Sequence, residues 1–145
     1  MLALLQSPHA ELRAQSAKGL GESLAQNISP LISALSDPSD RVRFFAALSL
    51  GRLQSPEATH SLIKFAIQAG EKNDPYLRHA AVQGLTGCLG ENELLQASNH
   101  SSPHVRLATL LVFRKKEDPR IDLFLSDSEA SIRQEAIRIL SLIHI

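Results

Sequence analysis

Apolar residues recur along the chain at the three-and-four spacing of an amphipathic helix, and the helical runs themselves recur. The run after Asp37-Pro38 is the clearest: Val42, Phe45, Ala46, Leu50 and Leu53 fall on one face of a predicted helix. Proline disfavours helical geometry in the residue before it, so Asp37-Pro38 ends one helix, and Ser39 or Asp40 is placed to cap the next. Gly51 falls near the helix end, where packing is expected to be tight. The same order returns at Ser7-Pro8 with Leu12, Arg13, Ser16, Ala17, Leu20 and Gly21, and at Asp74-Pro75 with Leu77, Arg78, Ala81, Val82 and Leu85. It returns again at Ser102-Pro103 with Val105, Arg106, Thr109, Leu110 and Phe113, and at Ser126-Asp127 with Ile132, Arg133, Ala136, Ile137 and Leu140.

The five arginines, Arg13, Arg43, Arg78, Arg106 and Arg133, are 30, 35, 28 and 27 residues apart, which is the length of one helical hairpin. Partner helices are expected over 29–35, 56–69, 91–97 and 119–125, with Pro30, Pro56 and Pro119 at or near their starts, where a missing N–H costs nothing. No run of β-branched residues alternates over the length of a strand. The expected fold is all-α: a right-handed α-solenoid of about five helical hairpins, forming one repeat domain over residues 1–145.

Composition narrows the function classes. The 43% hydrophobic content is ample for a continuous core, and fifteen basic side chains balance fifteen acidic ones, so no global field draws the chain to nucleic acid or anionic lipid. The single cysteine, Cys88, has no internal disulfide partner and reads as a buried small hydrophobe in the apolar run 85–89. No apolar run reaches the roughly 20 residues of a membrane span, and the opening Met1-Leu-Ala-Leu-Leu is too short for a signal-peptide core.

The segment Arg41-Val-Arg-Phe-Phe-Ala-Ala-Leu-Ser-Leu-Gly51 resembles the HEAT-like repeats, in which Asp-Pro at the inter-helix turn precedes Val-Arg-x-x-Ala-x-x-Ala-Leu-Gly. That resemblance covers essentially the whole chain. It implies the solenoid fold and a scaffold or adaptor role, since such arrays are only occasionally enzymes. Three segments carry a narrower resemblance: 39–48, 74–81, and 118–121 with 124–127. They are similar to the middle region of large planctomycete and verrucomicrobial proteins that join a propeller-like sugar dehydrogenase, a HEAT-like region and a C-terminal cytochrome c module. This resemblance implies a fragment of a longer redox protein, periplasmic or exported; without it the expected compartment is cytoplasmic. The Cys-x-x-Cys-His of haem attachment is absent, so no catalytic or haem residue carries over. The apolar ends, Leu2, Leu4 and Leu5 at one and Ile139 to Ile145 at the other, point the same way, because solenoid ends need polar caps.

Candidate sites are few. His100 and His104 are four apart, but Pro103 starts a helix between them, which argues against a shared metal-binding face. None of His9, His60, His79, His100, His104 or His144 is followed by glutamate, as the HEAT-like iron hydroxylases would require. Arg114-Lys115-Lys116 is followed by Glu117-Asp118 and reads as a solvated helix end rather than a nucleic-acid groove. Gly84, Gly87 and Gly90 match no phosphate loop. Tyr76, Arg78 and His79 stand together at a repeat-helix start and are candidate partner contacts. Recurrence of the five arginines favours an internal ladder instead, bonded to turn aspartates or helix-end carbonyls of adjacent units.

The expected function is therefore a non-catalytic scaffold or spacer within a larger redox protein, with protein or adjacent domains as partners. No catalytic residue, metal, cofactor, nucleic acid, membrane or small-molecule substrate is assigned. The alternative is a free-standing adaptor that binds a partner in its concave groove. A HEAT-type enzyme such as a bilin lyase or DNA glycosylase ranks last.

Overall fold

A computed structural model describes residues 1–143; His144 and Ile145, included in the histidine set and apolar terminus above, lie outside the described residues. Five hairpins follow one another. Their second arms are α1 (Ala10–Glu22), α3 (Asp40–Leu53), α5 (Pro75–Cys88), α7 (Pro103–Lys115) and α8 (Ala130–Ile143). Their first arms are a 3₁₀ segment Leu2–Gln6, α2 (Ser29–Ala34), α4 (Thr59–Glu71), α6 (Glu91–Ser98) and a second 3₁₀ segment Pro119–Ser126. Each first arm packs on its own second arm, and the second arms pack in sequence from α1 through α3, α5 and α7 to α8. The result is the all-α solenoid that the repeat spacing predicts, with no strand among the described residues.

The first arms depart most from expectation. Residues 119–126 form a 3₁₀ helix rather than an α-helix. Its two buried side chains, Ile121 and Phe124, are three residues apart, the repeat of a three-residue turn, and Asp118 caps it by accepting from the Arg120 amide at 2.9 Å. The predicted helix over 56–69 begins with one 3₁₀ turn, Pro56–Ala58, before α4. At α3, Ser39 occupies the N-cap position but its side chain makes no capping bond, and Asp40 is already helical. Asp37 does the local work instead, accepting from the Ser39 amide at 2.9 Å.

The buried set of α3 is Val42, Ala46, Ala47, Ser49, Leu50 and Gly51, whereas Phe45 and Leu53 are only half-buried. A single apolar stripe underestimates this helix because α2, α1 and α5 all pack on it. The contact with its neighbours is close enough to exclude side chains. A Cβ on Gly87 would lie 1.9 Å from the Gly51 carbonyl oxygen, and one on Gly51 would lie 2.6 Å from the Gln83 carbonyl oxygen. Between α1 and α3 a Cβ on Gly21 would meet Ser49 Oγ at 2.4 Å, and that hydroxyl donates to the Ala17 carbonyl at 2.7 Å. Second arms therefore stack backbone against backbone, which fixes the hairpin spacing.

Among the described residues four non-glycine positions hold left-handed backbone where helices stop: Leu24 (φ 54°), Gln54 (53°), Asn73 (49°) and Glu117 (54°). At three of these ends the following amide bonds back five residues, Ala25 to Leu20, Asp74 to Ala69 and Asp118 to Phe113, at 2.9–3.1 Å. Two stability changes of opposite sign are expected. Gly87→Ala forces α3 and α5 apart and lowers the free energy of unfolding by about 1–3 kcal/mol, whereas Gln54→Gly relieves left-handed strain and raises it by about 1 kcal/mol; urea titrations of both variants measure the two effects.

Candidate interaction surfaces

The repeat arginine is the fourth residue of every second arm, where its long side chain can reach back over the inter-helix turn. Four of the five make the same bond. Nη1 donates to the carbonyl six residues earlier: Arg13 to Ser7 at 2.9 Å, Arg43 to Asp37 at 2.5 Å, Arg106 to His100 at 2.8 Å and Arg133 to Asp127 at 2.6 Å. These bonds satisfy carbonyls within the arginine's own hairpin. Arg78 differs, reaching only Asn73 Oδ1 at 3.4 Å.

The other edge of the guanidinium decides whether hairpins are joined. Arg13 places Nε and Nη2 on the two carboxylate oxygens of Asp37, in the next turn, at 2.8 and 3.0 Å. Arg106 does the same to Asp127 at 2.9 and 3.2 Å. Each aspartate is thus held twice, its carboxylate by the preceding hairpin and its carbonyl by its own. The place six residues before the arginine is Asp37 or Asp127 at these joins, but Lys72 and His100 at the two between them. With Lys72 there, Arg43 turns to Asp40 on its own helix. The expected ladder therefore exists at the first and last joins and is interrupted in the middle, with Arg78 outside it.

Burial tends to raise the Asp37 and Asp127 pKa values, but the guanidinium bonds and the Ser39 and Glu129 amides outweigh it, holding both carboxyls below their usual value. Between hairpins four and five, Arg120 adds a further link: it bonds Asp118, reaches Glu91 at 2.9 Å and lies over the Phe113 ring.

Tyr76 and His79, three apart on α5, both lie beside Phe44 of α3. The Phe44 and Tyr76 rings stack with centroids 4.2 Å apart and planes 10° from parallel, and His79 is 6.3 Å from Phe44. Phe45 extends the strip, with Lys18 and Arg41 each over its ring. Arg78, which is not part of that ring stack, lines the groove toward α7 together with His79, Leu111, Arg114 and Lys115. Sequence reading missed Phe44, whose signal was adjacency to Phe45, since one of two neighbouring aromatics on a helix must leave the core face.

The remaining candidates occupy separate places. His100 lies in the turn before α7 and its Nδ1 accepts from the Ser102 amide at 3.0 Å, whereas His104 lies on α7 against Gly70. Among the described residues no three His, Cys, Asp or Glu side chains converge as a metal site. Cys88 is buried, donates to the Leu50 carbonyl at 3.3 Å and has its pKa pushed up by burial to about 11. Arg114, Lys115 and Lys116 are exposed at the end of α7. Among the described residues no helix is long and apolar enough to cross a membrane.

These hairpins, their turn aspartates and their arginines define a HEAT repeat protein. A family model of HEAT repeats matches residues 1–86, and the chain belongs to that family. Among solved structures it is similar to a chain from the complex of CpcE and CpcF of phycocyanin lyase from Nostoc sp. PCC7120, with a TM-score of 0.61 and 26% identity. The match covers 96% of this chain and 62% of that one, so this chain spans less than two thirds of its structural relative. No curated protein matches the chain.

Two outcomes are expected of the site chemistry. The depressed carboxyls of Asp37 and Asp127 give stabilisation that is complete above the unfolded carboxylate pKa of about 4 and lost as the pH falls through the lower folded values. Asp37→Asn with Asp127→Asn should lower the thermal midpoint by several degrees at pH 7 and flatten its acid dependence, measured by circular dichroism. The Cys88 thiol should stay unreactive to an aromatic disulfide reagent in the folded protein at pH 8 and react fully in denaturant.

Proposed function

We propose that the chain is a non-catalytic HEAT-repeat scaffold that holds partner proteins or adjoining modules at its two ends. The observation that carries this reading is where apolar surface remains. Of the large exposed hydrophobics among the described residues, all but Leu24, Tyr76 and Leu95 belong to the first or last hairpin, and Leu24 lies in the connection that follows the first. Equivalent positions show the cause. Leu12 is 44% exposed while its counterparts Val42, Leu77, Val105 and Ile132 are buried, and Ile137 is 55% exposed while Ala17, Ala47, Val82 and Leu110 are buried. The first and last hairpins thus leave exposed apolar positions that the inner hairpins bury.

We place the scaffold as a spacer within a larger redox protein, a section of a longer chain between dehydrogenase and haem modules, with the resemblance of segments 39–48 and 74–81 as support. A second reading, a free-standing adaptor, is favoured by the Phe44, Tyr76 and His79 strip. The similar chain belongs to a two-protein complex, which also supports protein partners. The lyase activity named there belongs to that complex and is not carried over.

The flanking gene sequence separates the readings: an upstream export signal and a downstream Cys-x-x-Cys-His support the spacer, whereas stop codons bounding the chain exclude it. At the protein level, Leu12→Gln with Ile137→Gln should reduce the fluorescence of a bound hydrophobic dye several-fold, while Tyr76→Ser changes it little. The reverse pattern would favour the adaptor.

A further inference from the structure

The groove between α5 and α7 concentrates positive charge in a chain whose formal net charge is zero. Both walls are second arms of inner hairpins, α5 packed between α3 and α7, and α7 between α5 and α8. Arg78, Arg114 and Lys115 line the groove, its apolar lining is Pro75, Val82 and Leu111, and no aspartate or glutamate borders it. Neither helix contains an acidic residue. Seven other arginines pair with carboxylates, whereas Arg78, Arg114 and Lys115 pair with none among the described residues. The bond of Arg78 to Asn73 is long at 3.4 Å and leaves most of its guanidinium unused. Glu117 and Asp118, the acids nearest in sequence to Lys115, line a separate cleft that Arg114 also borders, and Asp118 is taken there by Arg120.

The charged groove does not stop at α5. A second groove across Gly51 and Gly87 shares His79 and Gln83 with it and reaches Arg52 on α3. Three helices at the usual interaxial distance make a strip of roughly 20 Å, the length of about six extended residues. We propose that this strip docks an extended acidic segment of a partner protein. Its carboxylates meet Arg78, Arg114 and Lys115 at one end and Arg52 at the other, and an apolar side chain between them covers Val82 and Leu111. Guanidinium forks favour a carboxylate over a neutral side chain. Charges that stay open to solvent make the contact fast and salt-sensitive, so it is a transient docking site, separate from the lasting hold of the two ends. A nucleic-acid strand is the weaker occupant, because Gln83, Thr86 and Gly87 in the middle of the strip offer no cation to neutralise a phosphate at each residue.

Amide NMR of the chain, titrated with an unlabelled hexapeptide Glu-Glu-Leu-Ser-Leu-Glu, tests the proposal. Expected are shifts confined to α5, α7 and the end of α3, absent with the glutamine version of the peptide and lost at high salt. Arg78→Gln with Arg114→Gln should weaken binding by about fivefold or more, and Arg78→Lys with Arg114→Lys should keep part of it. The exposed Lys115→Glu is a second weakening variant that leaves every bond described above intact. Leu12→Gln with Ile137→Gln should leave binding unchanged, so failure of the groove does not touch the end-holding reading. No shifts, equal shifts with the glutamine peptide, or affinity indifferent to the groove substitutions would overturn the proposal. Tighter binding of a short oligothymidylate at the same residues would overturn it in favour of nucleic acid. Concentration-dependent shifts there without peptide would assign the groove to a second copy of the chain and overturn it likewise.

Discussion

A guanidinium has two edges, and this solenoid uses them for different purposes. One edge ties the arginine to the carbonyl six residues before it, so a short turn between helices becomes rigid without a long cap. The other edge is free to reach the next hairpin, and does so where that hairpin offers an aspartate. Turn geometry and hairpin-to-hairpin register are thereby set by the same side chain. The backbone contact of Gly51 with Gly87 and the Ser49 bond to Ala17 then fix how close the second arms lie.

The interruption of the ladder divides the array. At the Lys72 and His100 joins the guanidinium fork is missing, and cohesion there rests on glycine-mediated packing of α3 on α5 at the first and on packing of α5 and α4 against α7 at the second, where His104 lies on Gly70. Packing without directional bonds tolerates small sliding motions better than a bidentate ion pair does. The aromatic strip of Phe44, Tyr76 and His79 spans the first of these joins. The fork-tied joins are the terminal ones, so the hairpins that present unfilled apolar faces are also those fastened most specifically to the array.

Much of this architecture is legible in the chain because a repeat restates its rules. Five Val-Arg-like pairs at hairpin spacing identify the second arms, and Gly51 announces a close approach. What the pattern hides depends on registers between hairpins. The 3₁₀ form of 119–126 follows from Ile121 and Phe124 being its only buried side chains, which cannot be known before the neighbouring arms are in place. Phe45 fits a helical stripe with Val42 and Leu50, yet three packed neighbours bury the alanine faces instead. The arginines were legible as a ladder, but whether each rung closes depends on a residue in another hairpin. Arg78 is outside the ladder, and of the three candidate contacts it joins His79 in the groove toward α7 rather than the ring stack on Phe44.

The central claim is that the ends of the solenoid, rather than its flank, hold what the protein binds. Hydrogen exchange of the chain within its native assembly, compared with the isolated chain, tests this most directly. The account predicts added protection in residues 2–20 and 130–143, with α3 and α5 unchanged. Protection confined to α3 and α5 around Phe44 and Tyr76, with both ends unaffected, would contradict it.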